Sequence, residues 1–519
     1  MTATADSVPV TAPSARPGAW RLTLIVLAGG ACSLATEMSG ARLLAPHFGT
    51  SNLVWANVIG LMLLYLAVGY WIGGRLADRY PNERALARVV LGAAVTIACL
   101  PFIAQPLFGA ATNAFDGVSA GGFIASFFGT MLLFAVPVTA LGTISPWAIR
   151  LSVKEVSEAG TVSGRLYAIS TIGSLVGTFL PVLIIIPWIG TQRTLIAIAA
   201  VLALSAVPLL SPRTLVVPVL IALALFIPPA ATKGATAGRV IFEGESSYQY
   251  VQVIEQPDGD RILHLNEGWA VHSLLPRDGG LTHGYWDGFL SLPVLTGRDD
   301  GNVAILGNAG GTISNIYAAA WPKTTIDGVE IDPLVSEVGR TYLGMDSNPR
   351  LTTHTADARI WLRRSETRHS AMVVDAYRQP YIPFQLVSRE FFSLVRDRLT
   401  DDGVVAINVG TPPGQTEAVD MIAATMRDVF PTVVEARYDD FNSLVFAFPA
   451  ETPEFEIRKR LASATGLAEA ASGRIASRMR MVEPGGTVLT DDHAPIEWIT
   501  DRALLTYLRE GAPGAERGS

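Results

Sequence analysis

Between Leu53 and Gly74 the chain runs 22 residues without a charge. A helix needs roughly 20 apolar residues to cross a bilayer core of about 30 Å, so this stretch predicts a membrane span. Similar runs occupy about 22–44, 89–109, 121–149, 166–188, 194–210 and 214–230. Residues 21–230 thus hold about seven candidate spans, the last two short. Charge divides the chain at the same place. Residues 1–238 carry 20 charged side chains and net +6, whereas residues 239–519 carry 65 and net −13. Over the whole chain 16% of residues are charged, against about 25% in an average soluble protein. The reading is two proteins in series, a multi-pass α-helical membrane domain and then an acidic, normally charged domain.

Several classes are excluded at once. Nucleic acid is a poor partner for an acidic half, because counterion release needs clustered Lys and Arg. The two cysteines, Cys32 and Cys99, lie in apolar runs, which rules out a disulfide framework, a zinc knuckle and a CxxC redox site. Residues 1–20, rich in Pro, Ser and Thr, read as a disordered tail. The first apolar run lacks a small-residue cleavage site in a soluble context, which argues against a cleaved signal peptide.

Orientation follows from short basic loops. Residues 75–88 carry four Arg and residues 150–165 carry three basic residues, whereas 110–120 carries none. Both basic loops are expected in the cytoplasm, with the N-terminus inside. A cytoplasmic second half then requires an even number of crossings, six or eight, with one of the two short runs lying along the interface. Glu37 and Arg42, in or beside the first span, read either as an interhelical ion pair or as a functional site. The segment Arg75-Leu-Ala-Asp78-Arg79 resembles a short basic loop of major-facilitator transporters over seven residues counted from Gly73. Residues 231–238 form the natural linker.

The second half opens with a small β unit. Residues 239–243 and 248–254 alternate with period two, turn chemistry follows at 257–260, and a further strand spans 261–265. This unit and a connecting helix fill 239–300. From 301 to 519 the pattern becomes strand–helix alternation, with strands at 303–307, 324–330, 371–375 and 403–408. That alternation implies an α/β, Rossmann-like domain with ligands at the C-terminal strand ends. Four features fall on such ends in order. The glycine-rich loop from Gly307 to Gly311 lets a ligand approach the backbone, and the following helix N-terminus favours anionic groups. Glu330 can bond both hydroxyls of a ribose; Asp357 and Ala358 can hold an adenine ring. Asp375 stands where a reacting group belongs. Each acid has a plainer alternative, as a helix cap or a solvated strand end.

Residues 240–500 resemble the membrane-fused branch of the spermidine synthase (polyamine aminopropyltransferase) family. The resemblance rests on Glu245-Ser-Ser-Tyr248-Gln249, the 307–311 loop with Thr312, Val329-Glu330-Ile331-Asp332-Pro333, Asp357-Ala358-Arg359, Val374-Asp375-Ala-Tyr377 and Leu489-Thr-Asp-Asp-His-Ala-Pro495. It implies a class I methyltransferase-type fold and an aminopropyltransferase that takes decarboxylated S-adenosylmethionine as cosubstrate, with no tightly bound cofactor and no metal. By resemblance Gln249, Gly307, Glu330, Asp357 and Ala358 hold the adenosyl-sulfonium donor. Asp375 accepts the proton from a polyamine or other amine acceptor, putrescine in the family. The lipid bilayer is the remaining partner, homo-oligomerisation is left open, and the cell membrane is the expected location.

The chain departs from the family on the amine side. Ala309 stands where the glycine loop has an aspartate, Trp286 replaces the histidine of an aromatic–His–acid triplet, and Arg378 replaces a second aspartate. A cation there opposes a dicationic acceptor. Alternatives from other classes are a membrane transporter or sensor with a non-catalytic nucleoside- or polyamine-binding domain, and an S-adenosylmethionine-dependent methyltransferase.

Overall fold

A computed structural model describes residues 19–48, 52–114, 121–227, 237–266, 270–378 and 381–510. Most of the expected disordered tail (1–20) and linker (231–238) lies outside the described residues. The chain separates into two compact units. One holds Met1–Leu43, Ala56–Leu107 and Phe128–Pro229; the other holds Leu44–Trp55, Phe108–Phe127 and Ala230–Ser519.

The first unit is helical. Among the described residues, five helices are long and apolar enough to cross a membrane: Trp20–Phe48, Val54–Arg79, Glu83–Phe108, Ser126–Ser152 and the 54-residue Val156–Leu209. The helices outrun the apolar stretches that announced them, since backbone bonding continues into polar residues at each end. The supposed basic loop at 75–79 is in fact the last turn of the helix Asn52–Arg79. There Asp78 pairs with Arg150 at 2.8 Å, and the Arg75 guanidinium lies 3.6 Å from the centre of the Trp71 ring. These contacts give the transporter-like residues a structural role.

Small residues let the helix backbones touch, as in membrane bundles generally. A Cβ on Gly173 would lie 2.2 Å from the Leu27 carbonyl oxygen, and one on Gly177 would lie 2.0 Å from that of Ala31. Cys32 in turn donates from Sγ to the carbonyl of Ile198 at 3.5 Å. Residues 177 and 198 would be about 31 Å apart in one straight helix, yet neighbours 31 and 32 touch both. The chain therefore folds back between them, and the break is at Gly190, whose φ of 78° and ψ of 165° are not helical. The long apolar stretch is two helical segments joined at that residue. After it, Pro212–Phe226 is a 15-residue apolar helix.

In the second unit, β1 (Arg239–Glu245), β2 (Tyr250–Glu255), β3 (Arg261–Leu265) and β4 (Val271–Leu275) form an antiparallel sheet in chain order. β4 escaped the periodicity reading. The main sheet contains β5 (Asn302–Leu306), β6 (Thr325–Glu330), β7 (Leu351–Thr355), β8 (His369–Val374), β9 (Leu399–Gly410), β10 (Thr432–Arg437), β11 (Asn442–Phe448) and β12 (Met479–Met481). Its order is β12-β10-β11-β9-β8-β5-β6-β7. β7 through β9 pair in parallel, whereas β11, β10 and β12 add antiparallel. The sheet is mixed.

The central parallel strands carry continuous apolar runs, Val303–Leu306 in β5, Ala371–Val374 in β8 and Val404–Ile407 in β9, because both faces are covered. One face packs Phe391, Phe392, Val395, Ile422 and Met426 from the following helices. The other packs Phe289, Leu292, Ile316 and Tyr317. The chain winds outward from β5 to β7, then returns to β8 on the other side of β5. The C-terminal ends of β5 and β8 are therefore a topological switch point, where ligands of open α/β sheets bind.

Candidate active site

Two backbones meet at the switch point. The amide of Asp375 donates to the carbonyl of Leu306 at 2.9 Å, and the next residue after Leu306 is Gly307. A Cβ there would lie 2.5 Å from the Asp375 carbonyl oxygen and 2.7 Å from Ala376 Cα, and φ is +97°. Both conformation and space require glycine. The loop then turns through Ala309, a non-glycine residue at φ 44°, and Gly311 at φ 93° precedes the helix Thr312–Ala320.

Its amides are largely committed. Ala309 donates to Glu330 Oε2 at 3.0 Å and Gly310 to Ser273 Oγ at 2.8 Å, while Gly311 donates to the Asn308 carbonyl. These three N–H groups are taken up by partners within the protein.

Glu330 ends β6. Besides the Ala309 amide, its Oε1 accepts from the Asp332 amide at 3.0 Å. Burial still dominates and pushes the carboxyl up to about 7. Asp332, fully buried, caps the helix Pro333–Tyr342 by accepting from Leu334. Its Oδ2 also accepts from Ser246 Oγ at 2.6 Å and from Gln249 Nε2 at 3.2 Å. Ser246 further accepts from the Tyr248 and Gln249 amides. The motif at 245–249 is thus a turn whose Gln249 is anchored to the residue that caps the next helix. Sequence reasoning gave Asp332 no role.

Asp357 follows β7, whose Thr355 pairs with Glu330. It accepts from Ile360 N at 2.9 Å and so caps the helix Ala358–Arg364. That bond uses Oδ1, and Ala358 beside it is buried.

Asp375, partly buried just beyond β8, accepts from Tyr285 OH at 3.1 Å and from Asn408 Nδ2 at 3.1 Å. Burial pushes its carboxyl up to about 7, against the two bonds that favour the charged form. Tyr377 braces this arrangement by donating to the Asn408 carbonyl at 3.1 Å and accepting from the Gly410 amide at 2.6 Å. The triplet at 285–287 divides its work. Tyr285 reaches Asp375, Trp286 is buried, and Asp287 holds the turn by accepting from Thr282 and His283. Arg378 is exposed, and its backbone bridges to Tyr381. Tyr285 and Asn408 had no assigned role in the sequence. The available signal was a polar residue near the end of β9, the parallel neighbour of β8.

The family described as spermine/spermidine synthase domain matches residues 285–439. Residues 285–439 are thus similar to a spermine/spermidine synthase domain. The match begins at Tyr285 and takes in Gly307, Glu330, Asp357, Ala358, Asp375 and Asn408. A probable polyamine aminopropyl transferase of Bifidobacterium longum is 34% identical over 292 residues, covering 52% of this chain and 64% of that protein. A polyamine aminopropyltransferase of Vibrio vulnificus is 28% identical over 199 residues, covering 37% of this chain and 65% of its own. The chain therefore spans just under two thirds of these two curated relatives. Among solved structures, a probable spermidine synthase from Corynebacterium glutamicum is 15% identical, with 49% of this chain and 98% of that one covered and a TM-score of 0.38.

The close approach at Gly307 makes a sharp prediction. Gly307→Ala is expected to destabilise the second unit by about 3 kcal/mol, combining left-handed strain with a backbone clash. Gly279, at φ 68° with open space around it, supplies the control: Gly279→Ala carries only the strain, about 1 kcal/mol. Thermal or denaturant unfolding of the two variants measures the difference, and equal losses would contradict the packing argument.

Proposed function

We propose that the chain is a membrane-anchored aminopropyltransferase, moving an aminopropyl group from decarboxylated S-adenosylmethionine to an amine. The carrying observation is the partly buried Asp375 carboxylate at the switch point, hydrogen-bonded by Tyr285 and Asn408. On this reading Glu330 takes the ribose hydroxyls of the donor, Gln249 borders the nucleoside, and Asp357 and Ala358 border the adenine. Gly307 lets the backbone come close.

An acceptor amine is protonated at neutral pH and has no free lone pair. Asp375 holds the ammonium and takes one proton, which a carboxylate of raised pKa does more readily. The freed nitrogen attacks the propyl carbon next to the sulfonium. The carbon–sulfur bond breaks with its electron pair moving to sulfur, so neutral methylthioadenosine leaves and the new secondary amine carries the positive charge. Alignment of nitrogen, carbon and sulfur supplies much of the rest. Putrescine is the acceptor implied by resemblance. Arg378 is no partner for its second ammonium; Asp439, whose charge acts on Tyr285, is the acid proposed for it.

The activity assay uses the full chain in detergent or nanodiscs. Asp375 must be ionised to act as base, so kcat/KM for the amine should rise with pH and level off above about 7. Asp375→Asn should lose on the order of 10²–10⁴ in rate together with that limb. The raised pKa also favours folding while the carboxyl is protonated, a contribution lost as pH rises through about 7. The Asn variant should therefore gain Tm relative to the parent as pH rises from about 4 to about 7, with the gain levelling off above that. Asp439→Asn should raise KM for a diamine and leave a monoamine unchanged. Parental rates in Asp375→Asn would end the proposal, and methyl transfer from S-adenosylmethionine would redirect it.

The helical unit is proposed as a multi-pass anchor with the synthase domain in the cytoplasm, where such donors are made. Pro212–Phe226 supports an even count, because 15 residues of helix reach about 23 Å, short of a core of about 30 Å. Six passes then precede it. Paired reporters fused after Gly238, one active only in the cytoplasm and one only outside, should give the cytoplasmic signal. An external signal would mean that this short helix crosses.

A further inference from the structure

The segment around Leu489–Pro495 carries part of the family resemblance, yet the chemistry above leaves it without work. Its contacts are specific. Arg359, on the first turn after Asp357 and Ala358, forms a two-pronged ion pair with Asp491, Nη1 to Oδ1 at 2.7 Å and Nη2 to Oδ2 at 2.6 Å. Only 14% of the Arg359 side chain is exposed. Its Nη1 also donates to the carbonyl of Gln385 at 3.1 Å. Asp491 Oδ1 accepts from Ser388 Oγ at 2.6 Å, and the Asp491 amide donates to Glu390 Oε2 at 3.0 Å. The Arg389 amide reaches the carbonyl of Leu489 at 2.8 Å. Farther along, Asp501 on the terminal helix Ile496–Glu510 accepts from Tyr381 OH at 2.5 Å.

These bonds tie together parts of the chain that the proposed reaction must keep in register. Arg359 leaves the turn assigned to the adenine. Tyr381, Gln385 and Ser388 lie on the segment that runs from Asp375 to the helix Arg389–Asp397. Among the described residues between those ends, the regular structure is a bridge at 378 and 381 and one short turn at Phe384–Leu386. The planar guanidinium fixes direction as well as distance, which a lysine cannot do.

We propose that residues 489–501 act as a positioning strap: Asp491 locks the donor-side turn to the far end of the post-Asp375 segment, and Asp501 pins that segment at Tyr381. Arg359, Asp491, Tyr381 and Asp501 are positioning residues. Their link to donor and acceptor rests on the aminopropyltransferase reading, whereas their link to one another does not.

Two measurements on the full chain separate these layers. In hydrogen exchange, Asp491→Ala should lose protection at both 357–362 and 384–390, with the sheet strands unchanged. In kinetics it should raise KM for the donor about tenfold, the equivalent of roughly 1.4 kcal/mol, with the pH limb of Asp375 in place. Arg359→Lys, which keeps the charge but not the fork, should give the same pattern more weakly and serves if Asp491→Ala does not fold. Tyr381→Phe should raise KM for the amine and leave the donor unaffected. Parental protection at both segments in Asp491→Ala or Arg359→Lys would overturn the strap, whatever the activity. Lost protection with parental KM values would overturn its role in substrate placement. A parent chain that transfers no aminopropyl group would overturn the functional reading alone, because the exchange result stands without turnover.

Discussion

The contact on which the site depends is between two pieces of backbone. Where β5 and β8 end, the chain at 307 passes so close to residues 375 and 376 that no side chain fits between them. That approach brings the glycine loop, which precedes the donor-side elements, against the carboxylate assigned to the base. Everything else at the strand ends is arranged around it. Glu330 is held by the loop's own amide, Gln249 is held through Asp332, and Asp375 is held from the far side by Tyr285 and Asn408.

The same crowding sets the electrostatics. Glu330 and Asp375 each accept two hydrogen bonds that stabilise negative charge, and each is nonetheless pushed up to about 7 by burial. Desolvation outweighs the bonds because the acids stand at the ends of strands packed on both faces, with little water to replace the lost hydration. For a residue that must hold an ammonium and then take its proton, this is a useful setting. Neither a fully solvated nor a salt-bridged carboxylate has comparable basicity near neutral pH.

The sequence made the strand ends legible because parallel strands buried on both faces read as short apolar runs, and polar residues that stop such runs are conspicuous. Gly307, Glu330 and Asp375 stand out for that reason, whereas Asp357 follows the polar strand Leu351–Thr355 and is legible only from its place in the order and the family resemblance. What escaped depends on contacts between distant residues. Tyr285 reaches Asp375 across 90 positions and Arg359 reaches Asp491 across 132, and no local pattern announces either. Asp357 shows a different difficulty, since a helix cap and a ligand contact ask for the same side chain at the same place. β4 and β12 are short, and β10 and β11 join the sheet antiparallel, outside the strand–helix alternation that marks the parallel strands. In the helical half the apolar runs were plain, but the reversal inside 156–209 hangs on one glycine. That the loop amides are already bonded within the protein was likewise beyond composition to reveal.

The central claim is that the ends of β5, β6 and β7 form an adenosyl site. Calorimetric titration of the full chain with methylthioadenosine and decarboxylated S-adenosylmethionine addresses it without requiring turnover. Both ligands should bind, and Glu330→Gln should weaken both, because the amide offers one acceptor oxygen where the carboxylate offers two. A folded chain that binds neither ligand, or a Glu330→Gln variant that binds both as tightly as the parent, would contradict the account.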